Sequence, residues 1–398
     1  MTVRVNKPAF NIREKLKELV QGVGTKGLEL MRAATVQEAR DSIGAGRKNM
    51  IINGQVFINQ RNGTNSYTIP HATGGSYGGP DRWAINEATD GSVSVNMDGD
   101  PRSGNGDGYG VQEFSKAMQI ACSAPSGGLS STHNVHFFQN IEGYNTARLG
   151  WGTPSAKPVT LSFWVRSNVP GIYCVGLENN ATDRCCIKEY EVKPGHKWQK
   201  VVLTYPGCRD GTWEVTNACG IRVRFTLASG AAYDDGVDGL WVNSDELTTG
   251  NQVNFMSSTD NRYFITGVQL EVGRVATDFE HRQYNDELAL CMRYYQNSYD
   301  HAEGKFPSNS TAADNAIITT SWLDGNCPFP MFRVPMRNAP NVTLRGRESS
   351  TTGQVRNNGS LRTAAAENVT NQGVSYLSVN SGTAGAYNAF TFECDAEL

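Results

Sequence analysis

Five stretches of the chain, residues 160–166, 172–177, 199–205, 221–227 and 262–271, alternate apolar and polar side chains with a period of two. That period sends neighbouring side chains to opposite faces, so each stretch reads as a strand with one buried face. Turn clusters separate them: Asn179-Asn180, Pro194-Gly195, Gly207 and Ser229-Gly230. Eight or more such strands with no helical spacing between them predict an antiparallel β-sandwich over residues 49–282, in jelly-roll arrangement. Roughly 230 residues is generous for one sandwich, which implies long loops. The expected ones are 71–80, 97–110 and 229–255.

Composition narrows the reading further. Charged residues are 19% of the 398, and glycine supplies 42 positions, which disfavours a coiled coil or helical bundle. Seven Trp, fifteen Tyr and fifteen Phe supply core material that a disordered chain lacks. A net charge of −3 argues against nucleic acid as a general partner. No apolar run of about 18 residues exists, so no membrane insertion is expected. The first residues lack an apolar h-region, so no secretory signal is expected. Nine cysteines, with no CxxC among them, read as buried, unpaired thiols of a chain folded in a reducing cytoplasm.

The first fifty residues differ from the rest. Ten Lys/Arg against five Asp/Glu give them +5 and leave −8 on the remainder. Asn11 with Glu14 forms a capping-box pattern, and Ile12, Leu16, Leu19, Val20 and Val23 follow at helical spacing. Residues 35–38, with Ile43 and then Gly44, signal a second short helix. Segment 1–48 is therefore helical, with a stripe too narrow to be a domain without a partner. Residues 283–298 read as a connector helix capped by Asn285, with Leu288, Met292 and Tyr295 on one face. Residues 299–398 return to turn-rich alternation, a small C-terminal β domain. The fold class is mainly β: short N-terminal helices, a jelly-roll sandwich, a connector helix and a small β domain.

Enzymatic signatures are missing. There is no Walker A, GxSxG, HExxH or zinc-type Cys/His spacing. His133 and His136 lie on a strand approach without a third ligand, which argues against a metal. Asp98, Asp100 and Asp107 are oxygen donors in a Gly-rich loop where calcium is possible, although Arg102 interrupts them and no terminal Glu follows. No other cofactor is expected. Exposed aromatics beside polar loops are the signs of sugar binding, and the candidates are Tyr109, Trp151, Trp213, Tyr233 and Trp241. Residues 81–83 (Asp-Arg-Trp) and 280–282 (Glu-His-Arg) read as structural.

Several strings resemble phage tail-fibre and receptor-binding proteins that carry a carbohydrate-binding-module-like jelly roll. They are residues 49–61, 81–83, 141–143, 160–166 and 265–273, the last continuing through 276–282 into 287–295. Segment 35–44 resembles the helix that precedes the sandwich in many phage fibres, and the opening Val-Asn-Lys-Pro with its basic helix is similar to the starts of virion proteins in phages of marine cyanobacteria. The resemblance implies a virion protein assembled in the bacterial host cytoplasm and attached to other virion proteins of the tail or capsid. Ile12, Leu16, Leu19 and Val20 would make that attachment. It further implies a homo-oligomer, with a trimer favoured, that adheres to host-surface glycan without being an enzyme. A purely architectural adaptor or capsid-decorating protein is the first alternative, and a host-glycan depolymerase the second.

Overall fold

The computed structural model describes residues 47–99, 101–103, 111–298, 317–322 and 325–398. The chain divides after Lys48, and the unit described is Asn49–Leu398. The helices expected near Asn11 and Thr35, with Ile12, Leu16, Leu19 and Val20, lie outside the described residues.

Thirteen strands build the sandwich: β1 (Tyr67–Thr68), β2 (Ala72–Ser76), β3 (Ala84–Ala88), β4 (Ser92–Gly99), β5 (Ala117–Ala124), β6 (Asn134–Glu142), β7 (Val159–Ser167), β8 (Gly171–Glu178), β9 (Cys185–Val192), β10 (Gln199–Tyr205), β11 (Cys219–Ser229), β12 (Trp241–Val242) and β13 (Arg262–Val272). One sheet runs β1-β4-β5-β13-β7-β10 and the other β12-β9-β8-β11-β6-β3-β2. Successive strands repeatedly cross from one sheet to the other, as in a jelly roll. The five alternating stretches are β7, β8, β10, β11 and β13. The stretch 71–80, expected as a loop, contains the edge strand β2. Among the described residues no helix is long and apolar enough to cross a membrane.

Aromatic rings fill the space between the sheets. Phe137 of β6 and Phe225 of β11 are direct register partners and stack at 4.8 Å. Phe163 meets Phe225 edge-on at 5.1 Å, and the Tyr190 and Tyr263 hydroxyls share a hydrogen bond of 2.7 Å. Trp164 points the other way, donating to Glu113 Oε1 at 3.2 Å outside the six-stranded sheet. The nine cysteines are buried and unpaired. Burial pushes the thiols of Cys185 and Cys186 up to about 11 and about 12, away from thiolate chemistry.

The C-terminal part starts with helix α1 (Tyr284–Met292) and strands β14 (Tyr295–Asn297) and β15 (Ile317–Thr320). It continues with β16 (Asn341–Gly346), β17 (Gln354–Asn357), β18 (Ser360–Glu367), β19 (Tyr376–Val379) and β20 (Tyr387–Asp395). Long β20 organises it, pairing β14, β15, β16 and β17. The connector corrects the expectation from sequence. Gln283, not Asn285, holds the N-cap position, and the helix stops at Met292 instead of running to 298. The next residues have better partners than a further helical turn. Arg293 is bidentate on Glu142 at 2.7 and 2.9 Å, Tyr294 lies 3.3 Å beneath Arg82, and residues 295–297 pair with β20.

The segments 81–83 and 280–282 hold these pieces together. Asp81 accepts from the Gln60 backbone and side chain at 2.9 and 2.6 Å, and Trp83 donates to the Asn53 carbonyl at 3.2 Å. Buried Arg82 pairs with Glu397 and donates to the Asn140 carbonyl at 2.6 Å. Glu280 accepts from the Asn49 N–H at 2.7 Å, while Arg282 bridges Glu280 and Glu287 at 3.2 Å each.

Candidate functional site: a polar pocket on the seven-stranded face

Strand alternation decides which side chains leave the core of the seven-stranded sheet. On β6 the residues Val135, Phe137 and Ile141 point inward, leaving Asn134, His136, Phe138 and Asn140 outside. On β11, Ile221, Val223, Phe225 and Leu227 point inward, leaving Arg222, Arg224 and Thr226 outside. Register then sets the rows. Asn86, His136, Thr226 and Cys174 form one row across β3, β6, β11 and β8. Ala84, Phe138, Arg224 and Gly176 form the next, and Asn140, Arg222 and Glu178 the third.

The loop between β11 and β13 lies over one end of this face. Thr226 Oγ1 donates to the Leu247 carbonyl at 3.0 Å, and the Cys174 N–H donates to Gln252 Oε1 at 2.8 Å. Both anchors sit in rows of the sheet, so the loop is positioned by it. Between loop and sheet is a cavity of 240 Å³, lined by Gly74, Asn86, Asn134, His136, Phe138, Arg222, Arg224, Tyr233, Asp245 and Leu247. The Tyr233 carbonyl accepts from the N–H groups of Leu247 and Thr248, both at 3.0 Å, which fixes the residue at the rim. Opposite, edge strand β2 approaches Phe138 at Gly75, where φ is +89° and a Cβ would lie 2.7 Å from the ring. Only glycine fits there without strain.

A buried charge network backs the pocket. Glu178, 1% exposed, is 3.1 Å from Arg222 Nη1 and 2.5 Å from Arg224 Nη2. Arg224 Nη2 also reaches Asp245 at 2.7 Å and the Glu246 carbonyl at 3.2 Å. Burial pushes the Glu178 carboxyl up, against the pull of Arg224 and Arg222. The Arg222 guanidinium lies 5.2 Å from the Phe138 ring centre and donates through Nε to Asn140 at 2.8 Å. His136 is only 8% exposed, and its Nδ1 has no hydrogen-bond partner. Burial first, then the charges of Arg224 and Arg222, holds its pKa well below the ordinary histidine range, so the imidazole is neutral at pH 7.

The residues picked from sequence fall in different places. Tyr233 lines this pocket. Trp151, Trp213 and Trp241 come together elsewhere, interlocked edge to face at centroid distances of 4.6, 5.2 and 5.5 Å. Their indole N–H groups donate to the carbonyls of Lys157, Asp210 and Pro206. Trp213 and Trp241 pack against the sandwich core, beside a second cavity of 190 Å³ that Trp151 and Trp213 line with Leu149 and Ile221. Tyr109, Asp100 and Asp107 lie outside the described residues, as does the side chain of Asp98. Among the described residues no group of three or more metal-ligating side chains gathers.

Sequence reasoning weighed His136 only as a metal ligand, and missed Phe138, Arg222, Arg224 and the Asn86–Asn134 amide pair (2.7 Å). One signal was present: residues 221–227 alternate so that Arg222, Arg224 and Thr226 share a face. That β6 pairs β11, bringing His136 beside them, is a long-range fact that one strand's pattern does not contain.

No family model and no curated protein matches the chain. Several solved structures are similar to it. A family 11 carbohydrate-binding module from Clostridium thermocellum, in complex with a β-1,3-1,4-mixed-linked tetrasaccharide, is 10% identical with a TM-score of 0.26, covering 53% of this chain and 98% of that one. A family 4 carbohydrate-binding module is 18% identical with a TM-score of 0.27, covering 54% and 99%. The enzymatically active domain of tailspike protein 4 from bacteriophage CBA120 is 12% identical with a TM-score of 0.28, covering 56% of this chain and 21% of that one. All three likenesses are distant.

Proposed function

We propose that this chain is a glycan-adhesion protein whose binding site is the pocket on the seven-stranded face. One observation carries the reading: an aromatic residue, Tyr233, lines one cavity of 240 Å³ together with Arg222, Arg224, His136 and Phe138. Sugars need that combination, because their C–H faces stack on rings while their hydroxyls require fixed donors and acceptors.

Binding without turnover is the form that fits. Retaining and inverting glycosidases need two accessible carboxyl groups flanking the scissile bond. Here Asp245 lines the pocket, whereas Glu178 is sealed behind Arg222 and Arg224. One open carboxylate does not supply an acid and a nucleophile together.

The resemblance in sequence adds the setting: a phage tail fibre or fibre-like appendage, attached through residues 1–48 to another virion protein, with several copies adding avidity to a weak site. The test is retention of the full chain on host cells and on their purified polysaccharide, with reducing ends measured in parallel. Retention without sugar release is expected. No retention by an oligomeric preparation would contradict adhesion, and sugar release would favour the depolymerase. A map of the virion that places residues 1–48 away from other virion proteins would remove the attachment role.

A further inference from the structure

Not every N–H donor of the pocket is spent within it. Arg222 uses Nε on Asn140 and Nη1 on Glu178, and among the described residues Nη2 has no hydrogen-bond partner. Arg224 concentrates its contacts on Nη2, which leaves Nε and Nη1 without a partner there. His136 Nδ1 is likewise unpartnered inside a residue that is 8% exposed. By contrast the Asn86 and Asn134 amides are occupied, with Gly74, with each other and with the Thr132 carbonyl. What the pocket offers a ligand is therefore a surplus of N–H donors on two guanidiniums. Only Asp245, its side chain 43% exposed, opposes an anion from inside the pocket.

We propose that this pocket selects an acidic sugar, whose carboxylate accepts from the open N–H groups of Arg222 and Arg224. The proposal rests on the glycan reading and narrows it. Charge-assisted N–H donors on two separate guanidiniums can each hold one carboxylate oxygen, which a neutral hydroxymethyl group at the same carbon does not reproduce. Tyr233 at the rim then stacks on the sugar ring.

The experiment titrates the full chain with three probes, read by ligand-observed NMR at low salt: methyl β-D-glucuronide, methyl β-D-glucoside and acetate. The glucuronide is expected to bind at least about tenfold tighter than the glucoside, with acetate weaker than the glucuronide because it lacks the ring. Arg222→Gln should erase the preference for the glucuronide. Asp245→Asn removes the opposing charge and should widen the preference for the glucuronide over the glucoside several-fold. Equal binding of both glycosides, or a preference for the glucoside, overturns the acidic-sugar proposal while leaving glycan adhesion standing. Acetate matching the glucuronide overturns it in favour of a simple anion site. Loss of the preference in Arg222→Gln with a gain in Asp245→Asn supports the proposal even if Arg222→Gln is partly unfolded, because the second variant moves in the opposite direction.

Discussion

Phe137 and Phe225 stand directly opposite one another on β6 and β11, their rings 1° from parallel. This pair sits beneath the pocket and fixes which residues reach it. A slip of one residue of β11 against β6 would turn Arg222 and Arg224 into the core and expose Phe225. Phe225→Ala is expected to cost about 3–5 kcal/mol in denaturant unfolding, since Trp83, Phe163 and Phe137 all lose a ring contact.

The narrow approach of β2 to Phe138 makes Gly75 a sharper probe of the pocket wall. Gly75→Ala places a methyl group against the Phe138 ring at a φ that side chains rarely adopt. A stability loss of about 1–3 kcal/mol is expected. Because β2 is an edge strand, the displacement should stay local, so ligand affinity should fall more than thermal stability. Calorimetric melting beside a binding titration separates the two.

His136 gives the sandwich an acid sensitivity of known sign. Its pKa is held low in the folded chain by burial and by Arg224 and Arg222, with Asp245 and Tyr233 also facing the pocket. In the unfolded chain it titrates near 6.5, so below that pH the unfolded state binds the extra proton. Stability should therefore fall as pH drops through 6.5, by up to about 1.4 kcal/mol per pH unit from this group. His136→Gln should remove that slope, measured as the difference between urea midpoints at pH 7.5 and 5.5.

Glu393 works in the opposite direction. Burial raises its pKa to about 7, against the pull of Arg345 and Arg61. Between its unfolded value near 4.5 and 7 the folded chain keeps a proton that the unfolded chain releases, so stability falls as pH rises through that window. Glu393→Gln is expected to stabilise the chain at pH 8 by about 2 kcal/mol and to leave it unchanged at pH 4. Paired urea titrations at the two pH values give the answer.

The sandwich was legible because alternation is local: residues 160–166 and 221–227 carry the strand period and name their own buried face. The connector was misjudged because Arg293 and Tyr294 answer to Glu142 and Arg82, partners about 150 and 210 positions away in sequence. The pocket was half legible for the same reason. Tyr233 is visible as an aromatic in a polar loop, and Arg222 with Arg224 as a shared face. Their meeting with His136 depends on strand order. The three tryptophans show the converse: each looks like a platform alone, yet together they interlock and spend their N–H groups on nearby carbonyls.

A glycan array probed with the full chain tests whether the seven-stranded face binds glycan. Wild type, Tyr233→Ala and Trp213→Ala are compared side by side. The expected result is a discrete set of retained glycans, weakened about tenfold or more in Tyr233→Ala and kept in Trp213→Ala. Retention that survives Tyr233→Ala but disappears in Trp213→Ala would contradict the account and move the site to the tryptophan cluster.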